Sequence, residues 1–272
     1  MKYKLKRKHR KNIKMMYVFL VILVVLIGLS VGYASFSSNL SIIGKISLGG
    51  NNSLIDKVVD NGDGLHKIDD DKYYFVGKNV DNYIKLMGKD NEVDSTIWRI
   101  IGIDKNGIKL RKEESIGNIA WDTKGSKVWA DSSLNEKLNG DFYSSLSNSI
   151  NLNQLVQNPI WNIGESKDGI SIYSNVEYQG TVDSAKPVGI ITVEDYKYTG
   201  NSDGWMKEGN FQWTITAYSG NSTVYRINAT GNSRNSNVTY ESIVKPVIYL
   251  KANVKLKGSG KYDDPYIVVT AN

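Results

Sequence analysis

Twenty consecutive residues without a charge, Met15 to Ala34, follow a tail that carries Lys2, Lys4, Lys6, Arg7, Lys8, Arg10, Lys11 and Lys14 and no acidic residue. As a helix rising about 1.5 Å per residue, this run spans roughly 30 Å, the thickness of a bilayer's hydrocarbon core. A soluble amphipathic helix would keep a polar face over that length, and this run has none. The basic flank belongs on the cytoplasmic side, so the chain after Ser35 is expected outside the cell. Gly32 and Ala34 are small enough for signal-peptidase cleavage after Ala34, which would make the protein secreted. The run exceeds the roughly 7 to 15 residues of a signal core, and that favours a retained single-pass anchor.

Charge follows the same division. The chain holds 34 Lys plus Arg against 28 Asp plus Glu, a net +6, yet eight of the basic residues sit in the tail. Beyond the tail the chain is slightly acidic, so the basic character orients it in a membrane and points to no nucleic-acid partner. With no Cys there is no disulfide scaffold, thiol nucleophile or Cys-bearing metal site, and two His leave little imidazole chemistry. The acidic turn Asp60-Asn61-Gly62-Asp63-Gly64 lacks calcium ligands at its third and fifth positions, and no phosphate-binding glycine loop is present. Neither a metal nor a cofactor is expected.

The exterior part reads as a polar spacer (35–64) followed by one α+β domain (65–272), strand-rich with one or two helices. Strand signals cover 72–76, 83–86, 98–103, 108–111, 188–193, 211–216, 223–227, 244–250 and 266–269. Asn106-Gly107, between two β-rich runs, predicts a hairpin with a type I′ turn. Leu134, Leu138, Phe142 and Leu146 repeat every four residues and predict a helix over 131–146, capped by Asp131 or Ser132, with Ser133 and Glu136 as a capping box. A second short helix is expected over 152–157. Trp98, Trp129 and Trp213 lie beside regular patterns and are expected in the core, whereas Trp205 falls in a loop and is expected to be exposed.

The series Asp63-Gly64-Leu65, Tyr83-Ile84-Lys85, Trp98-Arg99-Ile100-Ile101-Gly102, Glu114-Ser115-Ile116-Gly117, Trp129, Leu134 to Asn139, Gln212-Trp213-Thr214, Lys245 to Lys251 and Asp264-Pro265-Tyr266 resembles an uncharacterised surface domain of Firmicutes, Gram-positive bacteria and their relatives. That resemblance runs from about Asp63 to Val268 and implies a secreted or membrane-tethered domain. More distantly, the strand–helix–strand order is similar to the C-type-lectin-like fold shared with formylglycine-generating enzymes. The lectins' calcium and sugar motifs are absent, since Trp161-Asn162 is followed by Ile163, and so are the enzymes' cysteines. Tyr33 to Ser37 is similar to the start of some exported surface and fibre proteins.

From Thr199 to Asn237 the chain is rich in Asn, Gly and Ser interleaved with aromatics, the composition of an adaptable recognition surface or of plain turns. Trp205, Tyr218, Asn221, Tyr225, Asn228, Asn232 and Asn235 are the candidate ligand-binding residues, and no catalytic residue is nominated. His66 beside Asp69, Asp70 and Asp71 reads as a solvated turn. The leading expectation is a membrane-anchored cell-surface binding or adhesion module, non-enzymatic, for a glycan, cell-wall or protein ligand. A structural envelope or fibre-associated protein is the alternative. A carboxylate-dependent envelope hydrolase comes third, and would need two acidic groups roughly 5 to 10 Å apart on one cleft.

Overall fold

The computed structural model describes residues 47–48, 52–166 and 186–270. The strands among them are β1 (Ser47–Leu48), β2 (Asn52–Ser53), β3 (Gly64–Asp69), β4 (Lys72–Val76), β5 (Tyr83–Met87), β6 (Val93–Asp104), β7 (Gly107–Lys112), β8 (Asn118–Ala120), β9 (Glu165–Ser166), β10 (Gln212–Tyr218), β11 (Thr223–Ile227), β12 (Ser233–Asn237), β13 (Glu241–Ile243), β14 (Val247–Leu250), β15 (Lys255–Lys257) and β16 (Tyr266–Thr270). The α-helices are short: α1 (Ser133–Lys137), α2 (Tyr143–Ser149) and α3 (Val193–Tyr198). Mixed α+β, strand-rich with few helices, is therefore the class. The first sheet runs β14-β7-β6-β5-β16-β15-β1-β2, with β4 joined to β6 and β3 to β4. The second runs β12-β11-β10-β13-β8, with β9 against β10.

The tail (1–14) and the apolar run (15–34) lie outside the described residues. Among the described residues no helix is long and apolar enough to cross a membrane. The compact unit that contains all of them begins at Ile43. It thus includes part of the segment expected as spacer: β1 pairs in parallel with β15, and Leu54 is fully buried in the core. An aliphatic side chain at that point gives the fold an anchor that the Ser, Asn and Gly around it conceal.

The expected hairpin is formed by β6 and β7, with a different turn. Positive φ occurs at Gly107 (+133°) and not at Asn106, so the loop Lys105–Asn106 is not type I′. Asp104 Oδ1 accepts the Asn106 N–H at 2.8 Å, an Asx turn that holds the loop in the ordinary hand. Gly107 is also a close approach, since a Cβ there would lie 2.1 Å from the Leu250 carbonyl oxygen. Midway along β6 the register shifts between Ile100 and Gly102, and a Cβ on Gly102 would meet Tyr73 O at 2.0 Å.

The helical segment is continuous from Ser133 to Ser149 but changes type. Five residues, Leu138–Phe142, form a π turn between α1 and α2. A spacing of four drifts by about 40° per step on an α-helix of 3.6 residues per turn, and a wider turn removes part of that drift. Leu134 and Leu138 are fully buried and Leu146 nearly so, while Phe142 is half-buried. Ser132 is the N-cap, accepting from Asn135 N, and Ser133 Oγ accepts from Thr123 N, outside any capping box. The helix expected at 152–157 is a single 3-10 turn, Leu152–Gln154, capped by Asn151.

Two expected strands are corrected. Residues 188–193 give an isolated bridge from Gly189 to Val247 and then enter α3, because Thr192 and Asp195 form a reciprocal capping box. The 244–250 strand starts only at Val247, after Pro246, which has no N–H to give a ladder. His66 lies on β3 opposite Tyr74, partly buried, and its Nε2 donates to Gly62 O at 2.7 Å.

Candidate functional site

Register places two polar rows on one face of the first sheet. Tyr74, Gly102, Lys109 and Tyr249 are cross-strand neighbours on β4, β6, β7 and β14. Two residues along, Tyr83, Arg99, Arg111 and Val247 form the next row. The 192–208 segment supplies the partners of both rows: α3 and the 3-10 turn Asn201–Asp203 lead to Trp205, Met206 and Glu208.

A cleft of about 160 Å³ opens over the first row, lined by Lys72, Asp104, Lys109, Glu194, Asp195 and Tyr249 among others. Lys109 Nζ donates to both Asp195 oxygens, at 2.9 and 2.7 Å, and both side chains are buried. Asp195 also accepts from Tyr74 OH at 3.3 Å and from the Thr192 N–H at 2.8 Å. Asp104 accepts from Tyr249 OH at 2.8 Å as well as from Asn106 N. Burial raises the Asp104 carboxyl above its usual range, against the lowering pull of Lys109 and these donors. Burial lifts the Tyr249 and Tyr74 hydroxyls well above theirs, and the neighbouring carboxylates, Asp104 first for Tyr249 and Asp195 first for Tyr74, add to it. Both phenols are therefore neutral donors at physiological pH.

Under the second row Arg111 meets Glu208 at 3.1 Å and Glu113 at 3.7 Å, and Lys245 meets the same Glu208 oxygen at 2.7 Å. Arg99 has no carboxylate at ion-pair distance among the described residues. Its Nε donates to Asn82 Oδ1 at 2.7 Å, and its guanidinium lies 4.3 Å from the Tyr83 ring centre and 4.2 Å from that of Trp205. Burial pushes Lys245 below the usual lysine range, and the adjacent Arg111 charge pushes the same way.

The nominated residues do not form one surface. Trp205 is buried rather than exposed: its indole N–H donates to Phe75 O at 2.8 Å, and Arg99 and Arg111 pack on its ring. An aromatic face suited to two cations is what draws this loop residue inward. On the second sheet Tyr218 and Tyr225 meet edge to face at 5.9 Å, with Tyr225 buried. Asn228 Oδ1 accepts from the Thr230 and Asn232 N–H groups and the Thr230 hydroxyl, which makes it a turn anchor. Asn221 accepts from the Thr223 hydroxyl, also within a turn. Asn232 and Asn235 are exposed, the latter opposite Tyr225.

The cleft residues were not nominated from the sequence. Its signal was the alternation Ile108-Lys109-Leu110-Arg111, which puts two cations on one face of an interior strand. Thr192-x-x-Asp195, a cap signature, was hidden behind a β-branched run. No protein-family model matches this chain. No curated protein and no solved structure is significantly similar to it.

Proposed function

We propose that this chain is a non-catalytic binding module on a C-type-lectin-like framework, anchored by residues 15–34 with its α+β unit outside the cell. One observation carries the choice of binding over hydrolysis. Of the four carboxylates that line the cleft, Asp71 is exposed, Glu194 is paired with Lys72, and Asp104 and Asp195 are each occupied by donors of the protein itself, two for Asp104 and three groups for Asp195. A general acid or base needs an oxygen within reach of the proton it moves. These oxygens hold a helix cap and a hairpin turn. The uncharged run behind a basic tail supports the location, and the polar β11–β12 hairpin supports the ligand-facing role.

Full-length protein in detergent is to be screened against immobilised glycans, cell-wall polymers and host proteins, with release of soluble fragments assayed in parallel. Retention without turnover is the expected outcome; turnover lost on Asp104→Asn would overturn it. Protease treatment of intact cells checks the topology, since fragments of 65–272 must be released from outside while the tail stays protected.

A further inference from the structure

We propose that the face of the second sheet around Arg226 binds an acidic polysaccharide, with sugar rings against Phe211 and Tyr240 and ring carboxylates on Arg226 and Arg234. This deepens the binding-module reading and rests on it.

Three rings surround the Arg226 guanidinium, with centres at 4.0 Å for Phe211, 5.5 Å for Tyr240 and 5.7 Å for Trp213. Trp213 is buried and forms the floor, while Phe211 and Tyr240 are 40% and 55% exposed. Arg226 stands in register with Arg234 on β12, so both side chains leave the same face. Like charges directly opposite on neighbouring strands destabilise a sheet. Among the described residues neither arginine has a carboxylate at ion-pair distance. The bond from Arg226 Nη1 goes to a neutral hydroxyl, Ser242 Oγ at 3.2 Å, and Nε is buried with no partner among the described residues. Glu241 alternates away from Ser242 along β13.

Arg234 alone could be explained as a charge that guards an edge strand against pairing with another chain. That does not account for a second arginine facing it, nor for two exposed rings beside them. The cations ask for an anion that the described residues do not supply, and guanidinium and carboxylate match in a two-pronged geometry. Exposed rings ask for a flat apolar partner, such as the C–H face of a pyranose. A uronic-acid polymer presents both on every residue. Nucleic acid is the poorer fit, because phosphate-backbone affinity accumulates over many cations and the rest of β12 is Ser and Asn.

The test is calorimetric titration of the full-length protein in detergent with oligogalacturonate, and separately with dextran oligomers, inorganic polyphosphate and single-stranded DNA. Oligogalacturonate is expected to bind, with dextran and polyphosphate at least about tenfold weaker, the loss of one charge-assisted contact or of the ring contacts. Arg234→Glu and Tyr240→Ala change exposed side chains, and thermal unfolding checks that both variants fold. Arg234→Glu is expected to weaken oligogalacturonate binding at least about tenfold, and Tyr240→Ala several-fold. Equal binding of dextran, tighter binding of DNA, or no effect of either variant overturns the proposal. Retention of some other ligand, untouched by these variants, refutes the acidic-glycan site and leaves the binding-module reading intact. Failure to bind anything in either screen refutes both.

Discussion

On the first sheet Lys109 meets Asp195 at 2.7 Å, and Arg111 and the adjacent Lys245 share Glu208; the three cations and Asp195 are buried and Glu208 is partly buried. On the second, Arg226 and Arg234 face each other with no carboxylate at ion-pair distance among the described residues, and Arg226 is stacked on rings that solvent reaches. Charge drawn into a low-dielectric interior must be met by the chain itself, by carboxylates for Lys109 and Arg111 and by Asn82 and two aromatic rings for Arg99, because desolvation costs several kcal/mol per ion. Charge left at a rim can wait for an external partner. The difference separates side chains that hold the fold from side chains available to a ligand.

The sharpest way to break this contrast is Asp195→Ala. It strands Lys109 and removes the Asp195 half of the α3 capping box, leaving Thr192 as N-cap, so a loss of about 3–5 kcal/mol is expected by chemical denaturation. A small loss would mean that the cleft is not the structural element described. Trp205→Ala removes a buried ring and the surface on which two arginines lie, and should cost about 3–5 kcal/mol whether or not it affects binding. A binding defect at full stability would return Trp205 to the ligand site.

Two aspartates sharpen the comparison through pH. Asp104 is raised in the folded state, so its contribution to stability improves as pH falls through its folded value toward the unfolded 3.8. Asp122 behaves oppositely. Against the penalty of burial, N–H groups of Ser133, Ser126 and Lys124 hold its carboxyl below the usual range, so it stabilises above 3.8 and loses that as pH falls through its lower folded value. Stability measured against pH for Asp104→Asn and Asp122→Asn should therefore differ from the parent with opposite slopes in acid. Smallest is Arg234→Glu, which places a carboxylate opposite Arg226 and should stabilise by about 0.2–1 kcal/mol in thermal unfolding. That sign is the reverse of every ion-pair loss on the first sheet.

What could be read from the chain followed the range of the interactions involved. The β6–β7 hairpin, the Leu134–Leu146 helical face and most strands are set by neighbours within a few residues, and they form where expected. The turn type was misjudged because Asp104, outside the Asn-Gly pair, fixes it. Trp205 was misplaced because its partners, Phe75, Arg99 and Arg111, are roughly a hundred residues away in sequence. The Arg226 cluster was equally hidden, since Phe211, Arg226, Arg234 and Tyr240 belong to four consecutive segments that only sheet pairing brings together. Asn221 and Asn228 could have been recognised as turn anchors from the Thr two residues after each.

The first described strand is only two residues long and lies between β15 and β2, with Leu54 buried a few residues later. Tension applied from the amino-terminal side of Ser47 would load that short strand before anything else. Few backbone bonds resist there, so β1 would peel at modest force while Leu54 holds the rest of the sheet closed. Loss of β1 would leave β15 as the new edge of the first sheet, held by β16 alone.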